Sequence, residues 1–180
     1  RSLVGSEMCI RDRGEPASLL GKRHMIFLTL GTQLPFDRLV KAMDEVAPGL
    51  QEAIFGQIGN ARVKPANFES VDFLAPREFK QHFDAARVIV GHAGIGTILS
   101  GLKAEKPLVL MARRVAFGEH RNDHQLATVS QMKRIPGIHI AETRDDLQAL
   151  LSEPDLLPMK AEDSLSRQNL LTRLHAEIFS

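Results

Sequence analysis

Short apolar runs that lack polar alternation recur along this sequence, and helical patterns separate them. A strand buried on one face alternates apolar and polar residues, whereas a parallel strand covered by helices on both faces does not. The predicted strands are 26–30, 52–58, about 71–74, 87–92, 107–111 and 138–140. The predicted helices are 35–47, about 77–85, 95–104, about 122–134 and 143–151. The pattern therefore predicts an α/β, Rossmann-like parallel sheet with helices on both faces.

Candidate site residues follow the predicted strands, because sheets of this class bind ligands at the carboxyl ends of their strands. Three places stand out in the sequence. They are "GTQ" after the first strand, "GHAGIGT" after the fourth, and the polar stretch after the fifth.

The segment "VIVGHAGIGTIL", residues 88–99, joins an apolar strand to a helix through glycines. A helix that starts near Gly94 to Thr97 leaves backbone N–H groups unpaired, and its dipole places about half a positive charge there. Gly94 and Gly96 leave room for a phosphate, and Thr97 can add a hydroxyl or cap the helix. His92 can donate a hydrogen bond to the same phosphate. The alternative is a tight turn in which His92 bonds a carbonyl.

The longer stretch "HAGIGTILSGLKAEKPLVLMARRVAFGEHRNDHQLA", residues 92–127, resembles the C-terminal, donor-binding domain of family 28 GT-B glycosyltransferases. The resemblance extends to "MIFLTLGTQLPFDRLV" and "FDAARVIVGHAG", and so to most of residues 25–151. "GEHRNDHQLAT" is similar to the signature of the exopolysaccharide branch. That branch and the dolichol branch contain small soluble subunits of two-part enzymes. The resemblance implies a single GT-B half.

The resemblance also implies which residues bind the nucleotide sugar. In the family, the diphosphate lies against the Gly-rich helix start, the Gly-Thr loop after the first strand faces the same crevice, and the Asn/Asp-His-Gln segment faces the sugar. The implied residues are Gly31, Thr32, Gln33, His92, Gly94, Gly96, Thr97, Glu119, Asn122, Asp123, His124 and Gln125. One departure is Ser100, where many GT-B donor domains carry a glutamate that binds the ribose. A serine can still bond a hydroxyl, without charge and with a shorter reach.

Two other polar groups near the fifth strand have more than one interpretation. Arg114, with Arg113 beside it, could meet a diphosphate or a carboxylated sugar, or the pair could simply face solvent. His120 and His124 are spaced to share a helix face and could bind a metal, but a helical histidine pair without a third defined ligand is weak evidence. We therefore predict no metal site.

Composition excludes several other classes of function. The net charge is +1, and acidic residues are mixed among the basic ones, so no nucleic-acid surface is expected. The single cysteine, Cys9, can form no internal disulfide, which fits a cytoplasmic protein. No apolar run approaches the roughly 20 residues that span a bilayer. We therefore expect membrane contact only through a partner.

The chain divides into three predicted segments. Residues 1–24 resemble a translated adapter sequence and are expected to be disordered or loosely attached. Residues 25–152 are the predicted donor-binding domain, and 153–180 a linker with a C-terminal helix. In that helix Leu170, Leu174 and Ile178 form an apolar stripe, which either closes the domain's own core or docks on a partner.

The predicted function is that of the donor-binding half of an inverting glycosyltransferase. It would use a UDP-sugar as donor substrate, need no cofactor, and act with a membrane-anchored acceptor-binding subunit at the inner face of the membrane. Two alternatives are an NADP-binding oxidoreductase domain and a non-catalytic nucleotide-binding module. The glycine order is not G-x-G-x-x-G and the chain lacks tyrosine, which disfavours the oxidoreductase. The sequence identifies no catalytic base.

Overall fold

A computed structural model describes residues 25–32, 34–119, 129 and 132–160, and these form one six-stranded parallel sheet. The strand order is β3-β2-β1-β4-β5-β6, and each neighbouring pair is parallel. The strands are β1 Met25–Thr29, β2 Ala53–Gln57, β3 Glu69–Val71, β4 Val88–His92, β5 Leu108–Met111 and β6 Ile138–Ile140. The structure confirms the predicted α/β fold class.

Four helices of the described residues connect these strands or follow them. They are α1 Asp37–Val46, α2 Pro76–Ala85, α3 Ile95–Ala104 and α4 Arg144–Ser152. Short 3-10 helices occupy Ala47–Gly49 and Val115–Phe117. The predicted helix at 95–104 matches α3 at both ends, and the other predicted helices differ from α1, α2 and α4 by one or two residues at an end.

Helices cover both faces of the sheet, because consecutive apolar residues of the strands point to opposite sides. On one face, Ile26 and Leu28 of β1 pack in a core with residues of α1 and α4. On the other face, Phe27 packs in a second core with residues of α2 and α3. The sheet is covered on both faces, and this burial is the physical reason for the unbroken hydrophobic run in β1.

Close backbone packing fixes α3 against the sheet. A Cβ on Gly101 would lie 2.5 Å from Cδ2 of Leu108, so the glycine lets α3 approach β5. Glu105 caps the end of α3 in the left-handed region, at φ 50°. The N–H of Lys106 bonds the carbonyl of Gly101 at 3.0 Å. This packing holds the first turn of α3 at the carboxyl edge of the sheet.

The strand predicted near 71–74 is wrong in its position along the chain, since β3 spans Glu69–Val71. The strand pairing ends where Gln57 of β2 meets Val71, and the N–H groups of Ile58 and Gly59 then bond the carbonyls of Val71 and Asp72, each at 2.9 Å. The Gln57 side chain accepts a hydrogen bond from the N–H of Leu74 at 3.0 Å. Phe73 is 52% exposed. The apolar residues after Val71 therefore form a loop at the carboxyl edge.

Several predicted segments lie outside the described residues. These are the leader 1–24, most of the helix predicted at 122–134, and the C-terminal helix with its apolar stripe. Val129 and Met132, which are described, are helical and buried in the core that contains α3. In the described part of the chain, no helix is long and apolar enough to cross a bilayer.

Two glycines with positive φ differ in the space around them and give a test of this packing. Gly137 has φ 87°, and a Cβ there would lie 2.2 Å from the backbone nitrogen of Met159. Gly118 has φ 67°, with nothing recorded within 4 Å of such a Cβ among the described residues. Gly118→Ala should lower the free energy of unfolding by about 1 kcal/mol, the cost of left-handed backbone.

Gly137→Ala should cost at least about 3 kcal/mol, because the backbone of Pro158 and Met159 must also move. Urea unfolding of the two variants measures the difference. Equal losses of stability would contradict the packing of Pro158 and Met159 against Gly137.

Candidate functional site

The imidazole of His92, the last residue of β4, lies between two glycine backbones. A Cβ on Gly94 would lie 2.2 Å from Nε2 of the ring, and one on Gly31 would lie 2.8 Å from Cε1. Gly94 also donates its N–H to the carbonyl of His92 at 2.7 Å. The structure thus brings together the loop after β1, the end of β4 and the start of α3.

This arrangement gives Gly94 a packing role, while its predicted part in nucleotide-sugar binding stays a prediction. We expected Gly94 to leave room for a phosphate, but the room beside its Cα holds the His92 ring. A Cβ on Gly96, by contrast, has nothing recorded within 4 Å among the described residues, and Gly96 is exposed. The open position of the glycine turn is therefore Gly96.

The first turn of α3 presents its backbone N–H groups at this edge. Its N-cap is Gly94, which has no side chain to bond them, and Ile95, Gly96 and Thr97 follow. Thr97 and Ser100 are partly exposed. Free first-turn amides and the helix dipole attract an anion.

The loop after β1 is held by a buried arginine from the end of β5. Arg113 is 3% exposed, and its Nη2 donates to the carbonyls of Leu30 at 2.9 Å and Leu34 at 2.6 Å. Its guanidinium also lies 5.3 Å from the ring centre of Phe36. Burial lowers the pKa of Arg113, and the charge of Glu119 opposes that change. Neither predicted role, a diphosphate ligand or a solvent-facing charge, fits this placement.

Thr32 and Arg114, two other predicted binding residues, are more accessible. Thr32 is exposed beside Gly31, which has φ 74°. The Arg114 side chain is 38% exposed, with its Nη2 3.9 Å from Oε2 of Glu142. Gln33, Asn122, Asp123, His124 and Gln125 lie outside the described residues, as does His120.

Glu119 is buried, and Arg38 of α1 binds both of its carboxylate oxygens. Nε of Arg38 lies 2.8 Å from Oε1 and Nη2 lies 2.9 Å from Oε2. The N–H of Arg114 also donates to Oε2 at 2.9 Å. This bidentate pair closes the loop 114–119 onto α1.

Sequence reasoning missed Arg38. Its guanidinium lies 5.2 Å from the ring centres of both Phe36 and Phe117, and it donates to the carbonyl of Ala112 at 2.7 Å. The available signal was an arginine in the first turn of α1, a helix that begins at the same edge as the predicted Glu119. A first-turn side chain there can reach the loop after β5.

Beside the Arg38 and Glu119 pair, a groove of about 540 Å³ opens between α1, the loop 114–119 and the start of α4. Its lining carries charges of both signs, among them Lys41, Glu45, Arg62 and Arg144. No group of three histidine, cysteine, aspartate or glutamate side chains within the described residues could hold a metal ion.

Removal of the Arg38 guanidinium should destabilise the fold because it leaves the buried Glu119 carboxylate without its cation. We expect Arg38→Met to lower the free energy of unfolding by about 2–3 kcal/mol, below the value for a fully buried pair because the Arg38 side chain is 26% exposed. Glu119→Gln in the Arg38→Met background should recover part of that loss, since the buried charge is then gone. Urea unfolding of the single and double variants tests this, and additive losses would show that the two side chains are not coupled.

Comparison with known proteins identifies the fold family. No curated protein sequence matches the chain. The solution structure of ALG13 matches with a TM-score of 0.56 at 17% identity, over 82% of this chain and 95% of that one. MurG of Acinetobacter baumannii matches with a TM-score of 0.55 at 19% identity, over 85% of this chain and 44% of that one.

A glycotransferase of kitacinnamycin also matches with a TM-score of 0.55 at 22% identity, over 94% of this chain and 42% of that one. The chain therefore spans less than half the length of these two larger glycosyltransferases, and the likeness establishes the fold. The glycosyltransferase family 28 C-terminal domain matches residues 25–172 of the sequence. The chain belongs to the glycosyltransferase family 28 C-terminal domain family.

Proposed function

We propose that this chain is the donor-binding half of an inverting glycosyltransferase. It binds a UDP-sugar, and the sugar is transferred to a lipid-linked acceptor in polysaccharide biosynthesis, of the exopolysaccharide type. The observation that carries the proposal is the convergence of Gly31, His92 and the first turn of α3 at the carboxyl edge of a family 28 domain.

In this proposal the diphosphate binds at the first turn of α3. The N–H groups around Gly96 and Thr97 offset its charge, and the open space at Gly96 lets a phosphate approach the backbone. His92, packed against Gly94, is placed to donate a hydrogen bond to the same group. The nucleotide sugar extends from there toward Thr32 and Arg114, with Ser100 in reach of the ribose.

Glu119 has a supporting role in this proposal, because donors already occupy both of its oxygens. It holds the loop that leads to residues 122–125, where Asn122, Asp123, His124 and Gln125 stay the predicted sugar contacts. Bound UDP gains negative charge as it leaves the sugar, and the amides of α3 stabilise that charge.

The acceptor half in this proposal is a separate, membrane-anchored subunit, and it supplies the base that takes the proton of the acceptor hydroxyl. The support for a separate subunit is the match to ALG13, whose chain is covered to 95% by this one domain. A complete site between two domains needs a second half. The complex is expected to lie at the cytoplasmic face of the membrane, with this chain attached through its partner.

Exposed hydrophobic side chains support the carboxyl edge as the surface that meets the acceptor half. Large hydrophobic residues that are more than a third exposed within the described part are Phe73, Val115, Phe117 and Leu157. The first three follow the carboxyl ends of β3 and β5, on the edge that carries the candidate site. Exposed apolar side chains at one edge favour a protein contact there.

Family membership also bears on the two alternative functions. A family 28 domain does not support the NADP-dependent oxidoreductase. A non-catalytic module that binds the same nucleotide is distinguished by assay of the complex with its partner.

The proposed function predicts an effect of two substitutions on donor binding at the start of α3. His92→Ala should weaken UDP binding about 10- to 100-fold, the effect of one lost hydrogen bond to a charged group. Gly96→Ala should weaken it by filling the space before the amides, while the fold keeps its stability because alanine favours the helix. Isothermal titration with UDP measures both affinities.

Gly49→Ala is the matched control, since Gly49 follows α1 at the opposite edge of the sheet. It should leave UDP affinity unchanged. Titration in EDTA should give the same affinity as titration with Mg²⁺, because helix amides rather than a protein-bound metal hold the diphosphate. Unchanged UDP binding in folded His92→Ala and Gly96→Ala would refute the site.

The proposed function also predicts that activity depends on the membrane-anchored partner. The isolated chain should transfer no sugar to a lipid-linked acceptor, and transfer should appear when the membrane-anchored subunit is co-expressed. Phe73→Ser and Phe117→Ser should lower co-purification with that subunit, because both side chains lie exposed at the carboxyl edge. Leu157→Ser is the control, since Leu157 is equally exposed but lies beside β6, where its carbonyl contacts His139. Transfer by the isolated chain would disprove the two-component arrangement.

A further inference from the structure

Arg113 connects two strand ends that do not adjoin each other. It follows β5, and its Nη2 reaches the carbonyls of Leu30 and Leu34, on either side of the loop after β1. In the sheet order, β4 lies between β1 and β5. The guanidinium therefore passes above the end of β4, on the edge where His92 lies.

The loop 31–34 is thus held at two points. The ring of His92 packs against Gly31, and Arg113 donates to the two carbonyls that flank residues 31–33. The N–H of Leu30 also bonds the carbonyl of Gln57 in β2 at 3.2 Å. Gly31 adopts a left-handed conformation, with φ 74°, which glycine reaches without steric cost.

The contacts of Arg113 suit a guanidinium better than any other side chain. The residue is 3% exposed, so its charge is desolvated and each donor needs an acceptor. One nitrogen reaches two carbonyls, at 2.9 and 2.6 Å, while the flat group lies near the Phe36 ring. Lysine keeps the charge but lacks the planar fork and its fixed directions.

We propose that Arg113 is a positioning residue for the donor: it sets the conformation of the loop at Gly31 and Thr32, and through that loop sets affinity for the nucleotide sugar. It touches no substrate itself. The inference rests on the proposed function in one respect, that this loop contacts the donor. The effect of Arg113 on the order of the loop can be measured without any ligand.

The test uses Arg113→Lys and Arg113→Met in the full chain. Arg87→Lys is the matched control, because Arg87 is also largely buried and also donates to carbonyls, those of Leu151 and Glu153, before β4 at the opposite edge. Amide hydrogen exchange of the peptide covering residues 30–34 reports the loop, and titration with UDP reports the site. Thermal unfolding reports the general cost of each variant.

For Arg113→Lys we expect faster exchange at 30–34, because a charged hydrogen bond to a loop carbonyl is lost. The UDP dissociation constant should rise about tenfold, because UDP must then order the loop on binding. Arg113→Met should raise the UDP dissociation constant further, so the lysine variant keeps part of the affinity that the methionine variant loses. Arg87→Lys should lower the unfolding temperature yet leave both loop exchange and UDP affinity within about twofold of the parent chain.

Two results would overturn the inference. One is unchanged exchange at 30–34 in Arg113→Lys, which would show that the side chain does not order the loop. The other is unchanged UDP affinity in spite of a loosened loop. If the parent chain itself binds no UDP, the proposed function fails, whereas the exchange data still decide whether Arg113 orders the loop. If Arg113→Met does not fold, Arg113→Lys alone decides both points.

Discussion

The contact between the His92 ring and the backbones of Gly31 and Gly94 is the constraint on which the carboxyl edge of this sheet depends. β4 lies beside β1, so their carboxyl ends adjoin, and an imidazole at the end of β4 must find space between two turns. Only glycine provides that space, because a Cβ at either position would lie within 3 Å of the ring. The imidazole thereby fixes the spacing between the loop after β1 and the first turn of α3, two elements far apart in sequence.

Two arginines organise the neighbouring part of the same edge. Arg113 joins the end of β5 to the loop after β1, and Arg38 joins α1 to the loop 114–119 through Glu119. Replacing both members of a buried ion pair by apolar side chains is often neutral or favourable for stability, so the presence of the Arg38 and Glu119 pair is better explained by geometry than by strength. Arg38 directs two nitrogens at one carboxylate and Arg113 directs Nη2 at two carbonyls, and each guanidinium so fixes where a loop lies.

The sequence predicted those parts of the fold that depend on local pattern. Apolar strands without alternation gave the parallel sheet, and the glycines after β4 marked the start of α3 at Ile95. The rest depends on long-range partners. β3 lies earlier than predicted because Leu74 gives its N–H to the Gln57 side chain rather than to a strand neighbour, and the burial of Arg113 follows from carbonyls 79 and 83 residues away. A charged residue after a strand looks the same in sequence whether it faces solvent or a carbonyl.

The way in which the edge uses its own polar groups also indicates what it leaves for a ligand. Glu119, Arg113 and Arg38 are engaged with other residues of the chain, so they are not open to a substrate without breaking the loops they hold. What remains accessible is backbone and small side chains at Thr32, Gly96 and Thr97, together with the partly exposed guanidinium of Arg114. Such groups can bind an anion but cannot accept a proton near neutral pH, since amides and hydroxyls do not titrate there. An edge built in this way is suited to hold an anion through the backbone amides at the start of α3.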